Sequence, residues 1–280
     1  MVDTIATALA QAQSLQQVSD SWRLDAELLL IEVLGCRREQ LMIHPEKSLT
    51  MQQSAQFTAL LDRRLQQEPI AYILGRKAFW DFDVAVSPAV LIPRPETEVL
   101  VEQALARVAA IADQPLQVAD LGTGSGVIAL ALARSNPHWQ VTATDYSEPA
   151  LAVARANAKA LSVHNIDFRQ GSWCDALPDI EYDVLVSNPP YVAEGDAHLQ
   201  ADGLPFEPPT ALTAGENGLA DIRNIIEQSA GSLKKDSWLL FEHGFDQADA
   251  LRMLLRENGF RDVFTEQDYG KQDRVSGGRR

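Results

Sequence analysis

The sequence predicts an α/β protein in which a doubly wound, mostly parallel sheet follows a small all-helical N-terminal domain. Three observations predict it. From residue 116 onward, strand-like and helix-like segments alternate, as crossovers between parallel strands require. Two strand segments, Val184-Leu185-Val186 and Leu239-Leu240-Phe241, are apolar without alternation, the pattern of central strands buried on both faces. The first 70 or so residues carry helical periodicity alone.

Met1 to Gln17 has neither the basic cluster nor the continuous apolar centre of a leader peptide, and reads as an amphipathic helix. In the next helix Leu24, Leu28, Ile31 and Leu34 or Leu30 fall on one face, and Gly35 supplies the C-cap. Leu49 to Gln67 repeats the pattern with Phe57, Leu60, Leu61 and Leu65; Ser48 or Thr50 can cap its start and Pro69 stops it. Phe79, Trp80, Phe82, Val84 and Val86 then suit a strand pair or hairpin. Pro88, Pro93 and Pro95 stiffen the lead-in to a helix from about Glu96 to Ala112, whose acidic first turn suits the helix dipole.

Strands are expected at Leu116–Leu121, Gln140–Asp145, Ile166–Arg169, Tyr182–Ser187 and Trp238–His243, with late segments at Arg261–Thr265 and Gln272–Ser276. Helices are expected at Val127–Ser135, Glu148–Ser162, Leu219–Leu233 and Asp246–Asn258. The implied organisation is a helical domain over residues 1–75, a β-hairpin linker over 76–93 and the α/β domain over 94–280.

Composition limits the function classes. The 280 residues are 46% hydrophobic and 22% charged, which supports a sizeable core and argues against wholesale disorder. No apolar run approaches 18 residues, so no membrane role is expected. Cys36 and Cys174 are too few for a disulfide framework, which fits a reducing cytoplasm. His44, His138, His164, His198 and His243 are scattered, so no metal site is expected. Residues 1–80 hold 8 Lys and Arg against 9 Asp and Glu, whereas residues 81–280 hold 16 against 30. An acidic catalytic half without a basic run lowers the expectation of a direct nucleic-acid substrate.

The first strand of the α/β part ends in Asp120-Leu121-Gly122-Thr123-Gly124-Ser125-Gly126, and a helix follows at once. Glycines here permit a tight turn and close approach of a ligand to the backbone. Val127 stands where a dinucleotide fingerprint needs its third glycine, and no Gly-Lys-Ser/Thr follows, so a Walker-type phosphate loop is excluded. Asp145 ends the second strand, 23 residues beyond Gly122, where a carboxylate can accept both hydroxyls of a ribose. The combination suits an adenosine without phosphates, and S-adenosyl-L-methionine is the candidate. Trp173, after the third strand, offers a flat face for an adenine ring, although a core tryptophan would look the same in sequence.

The fourth strand ends in Ser187-Asn188-Pro189-Pro190-Tyr191. Two prolines remove two backbone donors and leave an acceptor-only stretch beside the Asn188 side chain. An NH2 group docked there would give one N–H to the Asn188 oxygen and the other to the Pro189 carbonyl. Amide and aromatic amine nitrogens are poor nucleophiles because their lone pairs are delocalised. Two acceptors favour a pyramidal nitrogen and stabilise the charge that develops as a methyl group arrives. Tyr191 could stack on the planar group. Asn-Pro and Pro-Pro also mark ordinary turns, and that plainer reading weakens only because the glycine loop and Asp145 precede it.

Asp120–Gly126, Asp145 and Asn188 to Tyr191 resemble the amino-group branch of the S-adenosylmethionine-dependent methyltransferases, whose sheet is Rossmann-like. The helical N-terminal domain, the linker Val90-Leu91-Ile92-Pro93-Arg94-Pro95-Glu96-Thr97-Glu98 and the segment Phe206-Glu207-Pro208, with Ala211-Leu212 before Gly215-Glu216-Asn217-Gly218-Leu219, narrow the resemblance to the HemK/PrmC family. It continues to Asp273-Arg274-Val275. That family methylates the side-chain amide of the glutamine in the Gly-Gly-Gln motif of bacterial peptide chain release factors. The resemblance implies that Gly122, Thr123, Gly124, Ser125, Gly126, Asp145, Trp173 and Asn188 bind the cofactor, which leaves as S-adenosyl-L-homocysteine. It also implies that Asn188, Pro189, Pro190 and Tyr191 hold the glutamine, and that the helical domain recognises the release factor. Ser125 stands where many members have Thr.

Three other readings are weighed. An rRNA or DNA amino-group methyltransferase would use the same motif, but the acidic catalytic half opposes it. A non-catalytic binder of release factors would not need the aligned acceptors. A nicotinamide dehydrogenase is disfavoured by Val127 and by the lack of a suitable base near the sheet edge.

Overall fold

The computed structural model describes residues 3–200, 203–215 and 217–280, apart from the side chains of His198 and Gln200. Met1, Glu216 and the ring of His198, named above, lie outside the described residues. Two compact units form, residues 1–76 with 198–206 and residues 77–197 with 207–280. The inclusion of 198–206 in the first unit has no counterpart in the sequence pattern.

In the first unit, α1 (Ile5–Gln11) opens on a capping box in which Thr4 and Thr7 satisfy each other's backbone donors. The expected single N-terminal helix changes pitch there, continuing as a 3₁₀ helix over Ala12–Gln17. α2 (Trp22–Leu34) ends on Gly35 at φ 59°. The short α3 (Arg38–Ile43) precedes α4 (Met51–Leu65), where the Thr50 hydroxyl accepts from the Gln53 N–H, and α5 (Ile70–Leu74) ends at Gly75. Ile5, Leu15, Leu29, Leu30, Phe57 and Leu61 form the core of this unit.

The buried face of α2 differs from the expected one. Ala26, Leu29 and Leu30 are fully buried, whereas Leu24 is 42% exposed. The reason is electrostatic. Asp25 and Glu27 both turn inward, Asp25 to Arg64 at 2.8 Å and Glu27 to Arg38 at 2.6 Å. A leucine-rich run offers several nearly equivalent apolar faces, so the paired acids select among them. Replacing Arg64 by Met should leave the Asp25 carboxylate buried with only the Ser19 and Ser21 hydroxyls, which donate at 2.8 and 3.2 Å. A loss of about 3 kcal/mol in unfolding free energy is expected by chemical denaturation.

A hairpin follows, β1 (Arg76–Phe79) and β2 (Phe82–Ala85), turned at Trp80 with φ 56°; all of it but Arg76 belongs to the second unit. After it come α6 (Thr97–Arg107), β3 (Gln117–Leu121), α7 (Val127–Ser135), β4 (Gln140–Asp145) and α8 (Glu148–Ala160). The chain continues through β5 (Ile166–Gln170), β6 (Tyr182–Ser187), α9 (Ala220–Ser229), β7 (Leu233–Glu242), α10 (Ala248–Glu257), β8 (Arg261–Gln267) and β9 (Asp273–Arg279). The described strands β3 to β9 form one seven-stranded sheet in the order β5-β4-β3-β6-β7-β9-β8. Pairings from β5 through β7 are parallel, and β9 is antiparallel to both its neighbours.

α6, α7 and α8 cover one face, and α9 and α10 the other. On that second face Ile222, Ile225, Leu251 and Leu255 pack on Leu121, Leu185, Leu239 and Phe241, all buried. The doubly wound sheet expected from the alternation is therefore present. The late boundaries differ: Leu233 opens β7 instead of ending α9, and His243 falls beyond the strand. Between Tyr182 and Val184 the β6–β7 register shifts, and Asp236 takes φ 67° there. The charged Lys234-Lys235-Asp236 of this irregular stretch hides a strand from a hydrophobicity reading. Lys234 is held by Asp183 at 2.7 Å.

Strand register fixes the level at which each loop leaves the sheet. Leu121 pairs with Thr144 on one side and Ser187 on the other, and Asp145 pairs with Gln170. Gly122, Asp145, Gly171 and Asn188 therefore emerge at one edge. Ser187 also pairs with Phe241, which puts Asn188 level with Glu242. The chain works outward from β3 to β5 and returns to β6 on the other side of β3, and the crevice at such a switch is where open α/β sheets bind ligands. No described helix is long and apolar enough to cross a membrane.

Candidate active site

At this edge lies a cavity of about 320 Å³. Gly122, Thr123, Gly124, Ser125, Asp145, Trp173, Asn188 and Pro190 line it, together with Thr97, Tyr146, Ile128, Arg94, Pro208 and Asp221. Gly126, Pro189 and Tyr191 are not among the residues that line it.

The glycine loop is built by β4. Gly122 and Thr123 both donate their N–H groups to the Thr144 carbonyl, at 2.9 and 2.8 Å, which folds the loop back over the sheet edge. Gly122 takes φ 76°, and a Cβ there would sit 2.8 Å from the Trp173 ring. Gly126 takes φ 88°, and a Cβ would meet that of Ala154 on α8 at 3.1 Å. Around Gly124, by contrast, a Cβ would meet nothing within 4 Å: that backbone faces open space. Asn157 on α8 ties the loop down, donating to the Ser125 carbonyl at 2.9 Å and the Ala85 carbonyl at 3.1 Å.

Asp145 accepts one backbone N–H on each carboxylate oxygen, from Gly124 and Ser147, both at 2.8 Å. Each oxygen keeps lone pairs for a ligand. Burial pushes its pKa upward, and the two N–H groups oppose that shift. Asp120 is fully buried; its Oδ2 accepts the Thr123 hydroxyl at 2.6 Å and the Ala129 N–H at 3.1 Å. Burial pushes Asp120 up to about 7, against those two donors, with the charge of Asp145 adding to the rise. Its Oδ1 has no hydrogen-bond partner among the described residues.

Trp173 stands at φ 45° at the head of a 3₁₀ turn, and its ring packs over Gly122. Asp221, on α9, is raised by burial and lowered by its hydrogen bond to the Trp173 side chain. No spacing in the sequence announces Asp221 at this cavity.

On the other wall, Asn188 Nδ2 donates to the Thr97 hydroxyl at 3.3 Å. The Tyr191 hydroxyl donates to Glu242 Oε1 at 3.4 Å, and burial together with the Glu242 charge raises the Tyr191 pKa. Glu242 is itself 1% exposed and pushed up to about 7, chiefly by burial; Thr97 and Arg274 oppose the shift, and Glu96 adds to it. Glu242 Oε2 has no hydrogen-bond partner among the described residues. Thr97 lies in the linker motif and Glu242 within the strand expected at Trp238–His243, and nothing in the sequence pattern singles out either. The linker is clamped by Glu207, which is 3% exposed, accepts the Ile92 N–H at 2.9 Å and pairs with Arg94. The two motifs far apart in sequence, Phe206-Glu207-Pro208 and Ile92-Pro93-Arg94, thus meet in one buried ion pair.

Sheet order and motif placement are those of the α/β methyltransferases. Residues 97–203 match the family model of the methyltransferase small domain, and residues 7–75 that of the PrmC N-terminal domain. A solved structure with this fold is the Thermus thermophilus 16S rRNA N2 G1207 methyltransferase in complex with AdoMet and guanosine. It has a TM-score of 0.55 and 17% identity over 73% of this chain and 49% of its own. Two curated relatives, both named release factor glutamine methyltransferase, match almost end to end. The Vibrio cholerae protein is 49% identical over 98% of this chain and 96% of its own, and the Coxiella burnetii protein 46% identical over 96% of each. The chain belongs to the release factor glutamine methyltransferase family.

Glu207→Ala should release the linker, leaving the Ile92 N–H and Arg94 without their buried acceptor. We expect a stability loss of about 3 kcal/mol and faster amide exchange at Ile92 than at strand β3. Unchanged exchange at Ile92 would mean that the loop is held by its prolines alone.

Proposed function

We propose that this protein transfers a methyl group from S-adenosyl-L-methionine to the side-chain amide nitrogen of the glutamine in the Gly-Gly-Gln motif of peptide chain release factors. It modulates translation termination in the cytoplasm. The observation that carries the reading is Asn188: it lines the cavity beside the glycine loop, its Nδ2 is engaged by Thr97, and its Oδ1 has no hydrogen-bond partner among the described residues.

Several features fit the cofactor. Gly124 opens a cradle in the backbone, and Asp145 presents two half-used carboxylate oxygens for ribose hydroxyls. Charged side chains on the described wall are Asp145, Asp221 and Arg94, and Arg94 is already paired with Glu207. Such a wall favours a nucleoside bearing a positive sulfonium over one bearing phosphates. Trp173 offers its face to the adenine. When bound, S-adenosyl-L-methionine supplies the electrophilic methyl group, and S-adenosyl-L-homocysteine remains.

The chain's own work is positioning and electrostatics. Asn188 Oδ1 and the Pro189 carbonyl accept the two N–H groups of the glutamine amide. The consecutive prolines add no competing donor, so the site is acceptor-only where positive charge develops on nitrogen. Fixed in-line placement contributes further; effective molarities of about 10⁵ to 10⁸ M are reached by well-oriented groups. Pro190 forms the wall against the planar amide, and Tyr191, tethered to Glu242, backs it. Residues 1–75 recognise the release factor, and residues 76–93 connect them to the catalytic part.

Two variants test these roles. Asn188→Ala should lower kcat on the order of 10²-fold, as loss of one transition-state acceptor does, with little change in cofactor Kd by calorimetry; normal turnover would remove Asn188 from the mechanism. Asp145→Ala should weaken cofactor binding roughly tenfold or more, about 1.4 kcal/mol or above, and unchanged affinity would place the ribose elsewhere. The substrate is tested by offering labelled S-adenosyl-L-methionine with a release factor, its Gln→Ala variant at the Gly-Gly-Gln motif, and ribosomal RNA. Label on the intact factor alone is expected. Label on RNA would instead indicate a nucleic-acid amino-group methyltransferase.

A further inference from the structure

Pro189 and Pro190 have no N–H, so the stretch after Asn188 has no backbone donor at those two positions with which to fix itself. It must be held through its acceptors. The Tyr191 carbonyl is held in this way: Gln247 Nε2 donates to it at 2.9 Å and to the Asn217 carbonyl at 3.3 Å. Gln247 Oε1 accepts the Gly244 N–H at 2.9 Å. Turned over, this buried carboxamide would set its oxygen against two carbonyls, so its orientation is fixed. Gln247 stands at the N-cap of α10, yet its side chain makes no capping bond. An N-cap side chain ordinarily serves its own helix; this one serves a neighbouring loop.

Tyr191 and Asn217 are the two ends of an excursion of the chain. Just inside them the Val192 N–H donates to the Leu212 carbonyl at 2.9 Å, and the Ala214 N–H to the Val192 carbonyl at 3.1 Å. Between these bonds the chain passes through residues 198–206, which belong to the first unit. Motion of a segment that belongs to another unit reaches the residues at its ends unless its neck is closed. Gly218 completes the closure. It takes φ 66°, and a Cβ there would lie 2.1 Å from the Tyr191 carbonyl oxygen and 2.7 Å from Gln247 Nε2. Both distances are far inside a van der Waals contact of about 3.5 Å. The segment Gly215 to Leu219, a family marker in the sequence, thus supplies one side of the neck.

From this geometry we propose that Gln247 and Gly218 are positioning residues for methyl transfer, closing the neck on the Tyr191 carbonyl and so holding Asn188-Pro189-Pro190-Tyr191 in place beside the cavity. The inference deepens the function proposed above and rests on it for the reaction. Neither residue lines the cavity, so both act through the main chain of Tyr191. The Tyr191 hydroxyl is tethered separately, to Glu242. Opening the neck therefore frees the main chain of the motif and leaves the glycine loop and Asp145, built on β3 and β4, as they are.

The test uses the full-length chain. Gln247→Met keeps the side-chain length and removes both donors. It should lower kcat on release factor on the order of 10²-fold, the cost of a misplacement of about 1 Å, with the calorimetric Kd for S-adenosyl-L-methionine unmoved. Gly218→Ala should reproduce that split, since its Cβ displaces the same carbonyl. Gly215→Ala is the control: φ is 64° there, but a Cβ would meet only that of Ala220, at 3.5 Å, and kcat should stay near wild type. Amide hydrogen exchange without substrate reads the neck directly. At Val192 and Ala214 it should speed up about tenfold in Gln247→Met and Gly218→Ala, as loss of one hydrogen bond allows, while β6 keeps its protection. Wild-type kcat in Gln247→Met, or unchanged exchange at Val192, overturns the proposal. So does an equal loss of cofactor affinity, which marks a merely structural role, or a Gly215→Ala as slow as Gly218→Ala, which assigns the loss to backbone strain. If the wild-type protein leaves the release factor unlabelled, the substrate assignment fails, and the exchange comparison still decides whether Gln247 and Gly218 close the neck.

Discussion

The register of the parallel strands on either side of β3 is the constraint on which the site depends. Parallel pairing of Leu121 with both Thr144 and Ser187 forces the glycine loop, Asp145 and Asn188 to leave the sheet at a single level. A slip of one residue on either side would turn a buried strand face outward, so the apolar cores above and below the sheet hold the register in place. The loops inherit that precision. The glycine loop, Asp145 and Asn188 end up lining the same cavity because the hydrophobic strands beneath them cannot move independently.

The two walls of the cavity are supported in different ways. On the glycine-loop side the support is backbone: the Thr144 carbonyl takes two loop N–H groups, Asp145 takes two more, and the close fit of Gly126 on Ala154 fixes the helix that follows. On the Asn188 side the support is buried charge. Glu207 clamps the linker through Arg94 and the Ile92 N–H, and Glu242 anchors Tyr191. Buried carboxylates are costly unless satisfied, and each of these sits where it orients a neighbouring group. Burial raises the pKa values of Asp120, Asp145 and Glu242, which stand on strands β3, β4 and β7 of the same sheet.

The first unit follows a different logic. Its helices are short, and its buried acids Asp25 and Glu27 turn α2 so that Ala26, Leu29 and Leu30 meet the core. Leucine spacing alone pointed to Leu24 and its neighbours, because a run of leucines satisfies more than one helical face. Arg64, 39 residues from Asp25 in the chain, made the choice, and no local pattern carries that information.

Much of the α/β unit was legible from the sequence, because strand and helix periodicities are local and because parallel crossovers allow few topologies. β3, β4 and β6 and the helices between them fell where the pattern put them. So did the motif loops, since glycine, Asn-Pro-Pro and a strand-ending aspartate each impose a backbone shape by their own covalent structure. What remained hidden was every feature that depends on residues distant in sequence. The bulged, charged start of β7 read as the end of a helix, since pairing with β6 rather than hydrophobicity makes it a strand. The meeting of Glu207 with Arg94, of Tyr191 with Glu242 and of Thr97 with Asn188 was decided by tertiary structure alone. The sequence determined which groups the protein owns and how each loop turns. Only the packed sheet determined which of those groups face one another, because hydrogen-bond direction and burial of charge are properties of neighbours, and neighbours here come from opposite ends of the chain.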